Sequence, residues 1–149
     1  MSDHDEPPPT TSSVLISDRQ SSVLDEVALA DLARVTLAGE GLEEVELSVS
    51  FVEEAEIEDL HVRYMDEPGP TDVLSFPLDD VDEGGTRLLG DVVIAPAVAA
   101  RNNPTDPDAE LRLLLVHGIL HLLGYDHEDD AEKAEMWVRQ ERYSGVRAP

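Results

Sequence analysis

His117 and His121 stand four residues apart in a strongly apolar stretch, Leu113 to His127, which a third histidine closes. On a helix, positions i and i+4 share one face, so the two imidazoles would lie side by side. Leu114, Leu115, Val116, Ile119, Leu120, Leu122 and Leu123 surround them, and a helix apolar on nearly every side belongs in a core. Burying an imidazole is costly unless its ring nitrogens find partners. A metal ion would satisfy both rings. The other reading is a hydrogen-bonded core pair with an unrelated His127, and it leaves the offset of the third histidine unexplained.

That offset is a known one. His117, His121, Gly124 and His127 fall at i, i+4, i+7 and i+10, the spacing of the zinc-binding helix and turn in metzincin peptidases. The glycine lets the chain reverse so that the third nitrogen meets the first two. Three neutral nitrogens leave a tetrahedral zinc with an open position, as in catalytic sites. One zinc ion per chain is expected, held by His117, His121 and His127, through which these histidines would act in catalysis. The peptidases carry Glu directly after the first histidine as general base, whereas this chain has Gly118. Glycine inside a helix costs about 1 kcal/mol relative to Ala. Close approach of backbone or substrate would explain it, and an open side there would admit a ribose-phosphate chain. Asp126 either orients a ligand histidine through its other ring nitrogen or is a turn residue beside Gly124.

At 149 residues, 41% of them hydrophobic, the chain suits one domain with a sizeable core. No run of eighteen apolar residues is present, so no spanning helix is expected. The acidic, Pro-rich N-terminus lacks the basic and apolar regions of a secretory signal. The absence of cysteine excludes disulfides and thiolate ligands and is compatible with a reducing cytoplasm. A net charge of −24 repels polyanions at long range. All basic residues except Lys133 are arginine, which suits bidentate phosphate contacts in a local cleft.

The elements that must position the histidines follow from periodicity. Residues 1–12 read as a disordered tail and 13–149 as the domain. Ser13 to Asp18 predicts a strand. Ser22 would cap a helix from Val23 to Ala38 with Leu24, Ala28, Leu32 and Val35 as its buried stripe. Val45 to Phe51 alternates as a half-buried strand. A helix over about Glu53 to Met65 turns Ile57, Leu60, His61 and Tyr64 to one side. Thr71–Pro77 and Leu88–Ala95 predict a hairpin around an acidic loop at Asp79–Arg87. Pro96 opens a short helix to Asn102. Asp106–Pro107 pairs a cap with proline at the first helical position and opens the histidine helix. A last helix, capped by Asp129 or Asp130, would bury Ala134, Trp137, Val138 and Glu141, with Trp137 as anchor. The expected class is α+β: a small mixed sheet of about four strands covered by helices in three layers, with a metzincin-like zinc helix.

Three segments together resemble the YbeY family of endoribonucleases, the rRNA maturation factors: Pro70-Thr71-Asp72-Val73-Leu74-Ser75-Phe76-Pro77, Leu89-Gly90-Asp91-Val92-Val93-Ile94, and His117-Gly118-Ile119-Leu120-His121-Leu122-Leu123-Gly124-Tyr125-Asp126-His127. The order of elements agrees, so the likeness runs along nearly all of the chain after residue 12. The resemblance implies a cytoplasmic, zinc-dependent single-strand endoribonuclease acting in ribosomal RNA processing, notably at the 3′ end of 16S RNA. It implies ribosomal RNA and the small ribosomal subunit as partners, with no DNA and no membrane. Ser75 and Asp72 lie in the shared motif, although chemistry alone gives them no role. Where many members have Leu-Asn-x-x-aromatic-Arg, this chain reads Leu60-His61-Val62-Arg63-Tyr64-Met65. The arginine credited with a functional role is therefore Met65, and Arg63 lies about 200° around the helix from it. A non-catalytic ribosome-assembly factor with structural zinc and a zinc peptidase or small-molecule hydrolase are the competing readings.

Overall fold

Val45, Leu47, Val49 and Phe51 alternate with half-buried residues, and all four are buried, as suits the interior strand Val45–Val52. The computed structural model describes residues 12–65, 71–125 and 129–146. Along these the order is β1 (Ser13–Arg19), α1 (Glu26–Gly39), β2 (Val45–Val52), α2 (Glu54–Met65), β3 (Val73–Val81), β4 (Arg87–Ile94), α3 (Pro96–Asn102), α4 (Pro107–Leu122) and α5 (Asp130–Ser144). The sheet order is β1-β2-β4-β3. β1 and β4 run parallel to β2, and β3 is antiparallel to β4. The parallel pairs need crossovers, which α1 and α2 supply.

Successive residues of β4 point to opposite faces and build two cores. Val92 and Ile94 join Leu47, Phe51, the α1 residues Leu29, Ala33 and Leu37, and the α4 residues Leu111, Leu115 and Ile119. Val93 joins Leu74, Val52, Ile57 of α2 and Val98 of α3. The sheet is thus a middle layer with α1 and α4 on one face and α2 on the other, while α3 joins both cores through Ala99 and Val98, in the α+β arrangement expected. α5 lies outside α4, with Met136 packed on Val116 and Leu120. No described helix is long and apolar enough to cross a membrane.

Several expectations are corrected. Asp25, not Ser22, caps α1 by accepting from the Ala28 amide at 3.1 Å. The buried row is Leu29, Ala33, Thr36 and Leu37, while Ala28 and Val35 are exposed. Two apolar rows run along this helix, and periodicity alone does not say which meets the sheet. β3 continues past Pro77 to Val81, through a register shift between Pro77 and Asp80. It is an edge strand, where proline's missing donor is tolerated. On α5 the buried row is Met136, Gln140 and Ser144, and Trp137 and Val138 face outward. Residues 1–11 of the expected tail lie outside the described residues. Ser12, assigned to that tail, is buried, and its hydroxyl accepts from the Val45 amide at 3.3 Å.

One carboxylate ties α1, α5 and the turn after α4. The Glu40 side chain, 4% exposed, accepts from Tyr125 Oη at 2.7 Å, Arg139 Nη1 at 2.6 Å and Tyr143 Oη at 2.5 Å. Burial pushes its pKa up, but the bonds from Tyr143, Tyr125 and Arg139 outweigh that and hold it below the ordinary value. Burial, then the bond to Glu40, pushes Tyr125 up to about 12. A carboxylate with a depressed folded pKa stabilises fully above its unfolded pKa and loses that contribution as pH falls through the folded value. Glu40→Gln is therefore expected to cost roughly 2–3 kcal/mol at pH 7. The gap to the unmodified chain should close progressively below about pH 4.5, as Glu40 itself protonates. Urea unfolding of both proteins from pH 3 to 7 measures this, and a pH-independent gap would rule out the ionised clamp.

Candidate metal centre

Asp106 accepts from the Ala109 amide at 3.1 Å and Pro107 occupies the first turn, so α4 starts where its sequence dictates. The helix then buries Leu111, Leu114, Leu115, Val116, Gly118, Ile119, Leu120 and Leu122. From Leu114 to Leu122 the only side chains not buried are His117 and His121, both half-buried. Their rings stand edge to face, 4.6 Å between centroids.

Gly118 sits against the sheet. A Cβ there would lie 2.6 Å from Val92 Cγ1 and 3.3 Å from Val73 Cγ2. The close approach is made by strand side chains, not by backbone or substrate as the sequence suggested. There is no open side at Gly118 for a ribose-phosphate chain, because Val92 and Val73 fill it. The same contact bars the peptidase glutamate, whose side chain would start inside Val92. Beside it, Ser75 Oγ donates to the Gly118 carbonyl at 2.9 Å and pins β3 to the helix next to His117. This supplies the role for Ser75 that sequence chemistry lacked.

At the far end α4 stops in a Schellman turn. The Gly124 amide donates to the His121 carbonyl and the Tyr125 amide to the Leu120 carbonyl, both at 3.0 Å. Gly124 has φ +98°, in the region that favours glycine. Tyr125, the next residue, is the one held by Glu40. Asp126 and His127 lie outside the described residues.

α5 contributes a residue that sequence reasoning missed. Gln140, 3% exposed, places its Oε1 at hydrogen-bond distance from His117 Nδ1. A polar residue at i+4 between Met136 and Ser144 was the available signal. Asp72, the other motif residue, accepts from Asn102 Nδ2 at 3.1 Å, and its backbone carbonyl accepts from the Ala95 amide. It links the start of β3 to α3. Burial, and next the nearby Asp72 charge, raise the Glu110 pKa. Arg63 pairs with Asp59 at 3.2 Å on exposed surface.

Two imidazoles on one helical face suit zinc, which favours nitrogen donors. Among the described residues no group of three or more His, Cys, Asp or Glu converges on one point. A third donor would have to come from outside the described residues, where Asp126 and His127 lie.

Comparison with known proteins covers most of the chain. The family model described as Endoribonuclease YbeY matches residues 15–145. The chain is 46% identical over 141 residues to Endoribonuclease YbeY of Streptomyces coelicolor, covering 86% of each chain. It is 52% identical over 133 residues to the protein of that name from Frankia casuarinae, covering 80% of this chain and 66% of that one. For Acidothermus cellulolyticus the identity is 45% over 150 residues, covering 91% and 92%. The solution structure of TM1509 from Thermotoga maritima superimposes with a TM-score of 0.57 at 30% identity, covering 88% of this chain and 86% of that one.

The Gly118 contact yields a test. Gly118→Ala should gain up to about 1 kcal/mol of helix propensity yet lose about 1–3 kcal/mol to overpacking. A net loss is expected, and Val92→Ala should remove the overpacking. Urea unfolding of the two single variants, the double variant and the unmodified chain measures the coupling. Additive effects would show that the helix does not bear on the sheet there.

Proposed function

The chain belongs to the YbeY endoribonuclease family, and from that premise we propose that it is a zinc-dependent enzyme cutting single-stranded RNA during ribosomal RNA processing. The observation that carries this reading is the pair His117 and His121, side by side on α4 and followed directly by the reversing turn at Gly124. His127 is proposed as the third ligand, with Asp126 orienting a ligand ring or shaping the turn. When bound, the ion would supply charge stabilisation at the phosphoryl oxygens. The chain's own residues do the holding. Ser75 and the Gly118 contact fix the depth of α4, and Gln140 fixes one ring. Glu40 secures the turn through Tyr125. Action at the 3′ end of 16S RNA, association with the small ribosomal subunit and a cytoplasmic location belong to the same proposal. They rest on the family resemblance.

Gly118 separates enzyme classes. Amide hydrolysis needs proton delivery to a poor leaving group, and neither glycine nor anything the Val92 contact would admit provides it. Phosphodiester cleavage depends more on stabilising phosphoryl charge. Gently purified protein is expected to carry zinc near one per chain, and His117→Ala/His121→Ala to lose it together with RNA cleavage. Elemental analysis and a single-stranded ribosomal RNA substrate measure both. Full metal content in the double variant would refute the ligand assignment. A mixed peptide library should stay uncut by the same zinc-loaded protein. Peptide cleavage lost in His121→Ala, with RNA left intact, would overturn the nuclease reading.

The arginines bear on how RNA is held. Arg19 pairs with Glu56 at 2.5 Å, Arg34 with Asp31 at 3.2 Å and Arg139 with Glu40 at 2.6 Å, and Arg101 pairs with Glu54. Cations so engaged build no broad phosphate-binding face. RNA binding should therefore show a shallow salt dependence, with a slope of log K on log salt no steeper than about −5. A steeper slope in a salt titration would reveal a large basic surface.

A further inference from the structure

We propose that Gln140 is a positioning residue that fixes His117 in the tautomer carrying hydrogen on Nδ1 and the lone pair on Nε2. The inference rests on the metal reading above and adds to it which nitrogen of His117 binds. The Gln140 atom facing His117 Nδ1 is the amide oxygen, and an amide oxygen only accepts. Nδ1 must then donate, which leaves Nε2 as the basic nitrogen. The amide is held in place by its surroundings. Gln140 is 3% exposed, its backbone carbonyl accepts from Ser144 Oγ, and its helix neighbour Met136 is fully buried against Val116 and Leu120. Arg139 and Tyr143, on either side of it along α5, both bond Glu40. The helix that carries Gln140 therefore cannot slide without breaking the buried clamp.

Gln140 also does this without charge. A carboxylate at the same place would make the imidazole more basic and favour the imidazolium, which binds no metal. A neutral amide selects the tautomer without placing a charge beside the ring. No buried side-chain nitrogen or oxygen among the described residues lacks a partner, and the Gln140 amide oxygen has His117 Nδ1 as its partner.

The test uses the metal-free full chain and two variants, Gln140→Met, which keeps the bulk and removes the acceptor, and Gln140→Glu, which restores an acceptor. Ring nitrogen shifts of His117 from ¹⁵N NMR, recorded at alkaline pH where the ring is neutral, report the tautomer. Zinc affinity comes from competition with a chelating dye. The unmodified chain should show hydrogen on Nδ1. Gln140→Met should mix the tautomers and bind zinc about 10–100-fold more weakly, while Gln140→Glu returns the Nδ1 tautomer. Hydrogen on Nε2 in the unmodified chain, or unchanged shifts and affinity in Gln140→Met, would overturn the inference. If the unmodified chain binds no zinc, the metal reading fails, and the ring shifts still decide the role of Gln140. If Gln140→Met unfolds, the shifts of the unmodified chain and of Gln140→Glu decide it.

Discussion

The depth at which α4 meets the sheet governs the rest. Gly118 lies against Val92 and Val73 with no room for a methyl group, so the helix backbone is seated directly on two β-branched side chains. These are stiff at χ1 and do not yield easily. Seated that deep, the helix brings its carbonyl within reach of Ser75 and turns nine of its residues into core. From Leu114 to Leu122 the two imidazoles are the side chains left half-buried. A helix held further out would bury less and leave the rings free to rotate.

Burying this helix creates a problem that α5 solves. An imidazole beside a packed helix needs a polar partner for its inner nitrogen, and the outer helix must bring that partner without opening the core. Its inward row of Met136, Gln140 and Ser144 is therefore part apolar and part polar. Such a row carries a weak amphipathic signal. The apolar Trp137 and Val138 suggested the opposite face, and they proved to be the exposed ones. The sequence reading failed there because it counted hydrophobicity, while the packing was decided by a hydrogen bond to another helix.

The elements themselves were legible because each carries local chemistry. β2 alternates, α4 begins on Asp106–Pro107, and the reversal at Gly124 uses the residue that tolerates φ +98°. The hairpin was legible too, except that an edge strand runs on through proline where a central strand would have stopped. The histidine spacing was plain for the same reason, since it lies within one helix and its turn. The clamp was not. Glu40 finds Tyr125, Arg139 and Tyr143 at separations of 85, 99 and 103 residues, and nothing in the local pattern announces a pairing over that distance. Residues that hold a site are spread along a chain more widely than residues that form it.

Charge sets the last constraint. At −24 the long-range field of this protein opposes an RNA chain, and several surface arginines are already paired with carboxylates. Steering by charge, which speeds many nucleic-acid proteins onto any phosphate backbone, therefore works against this one. Affinity for RNA has to come from short-range contacts that overcome a repulsive approach. Short-range contacts depend on geometry to within a fraction of an ångström, whereas a diffuse field does not. A protein that recognises its substrate this way gains more from a rigid site than one that gathers substrate by charge. The seated helix, the amide on His117 and the three-donor clamp on Glu40 are the features that provide that rigidity.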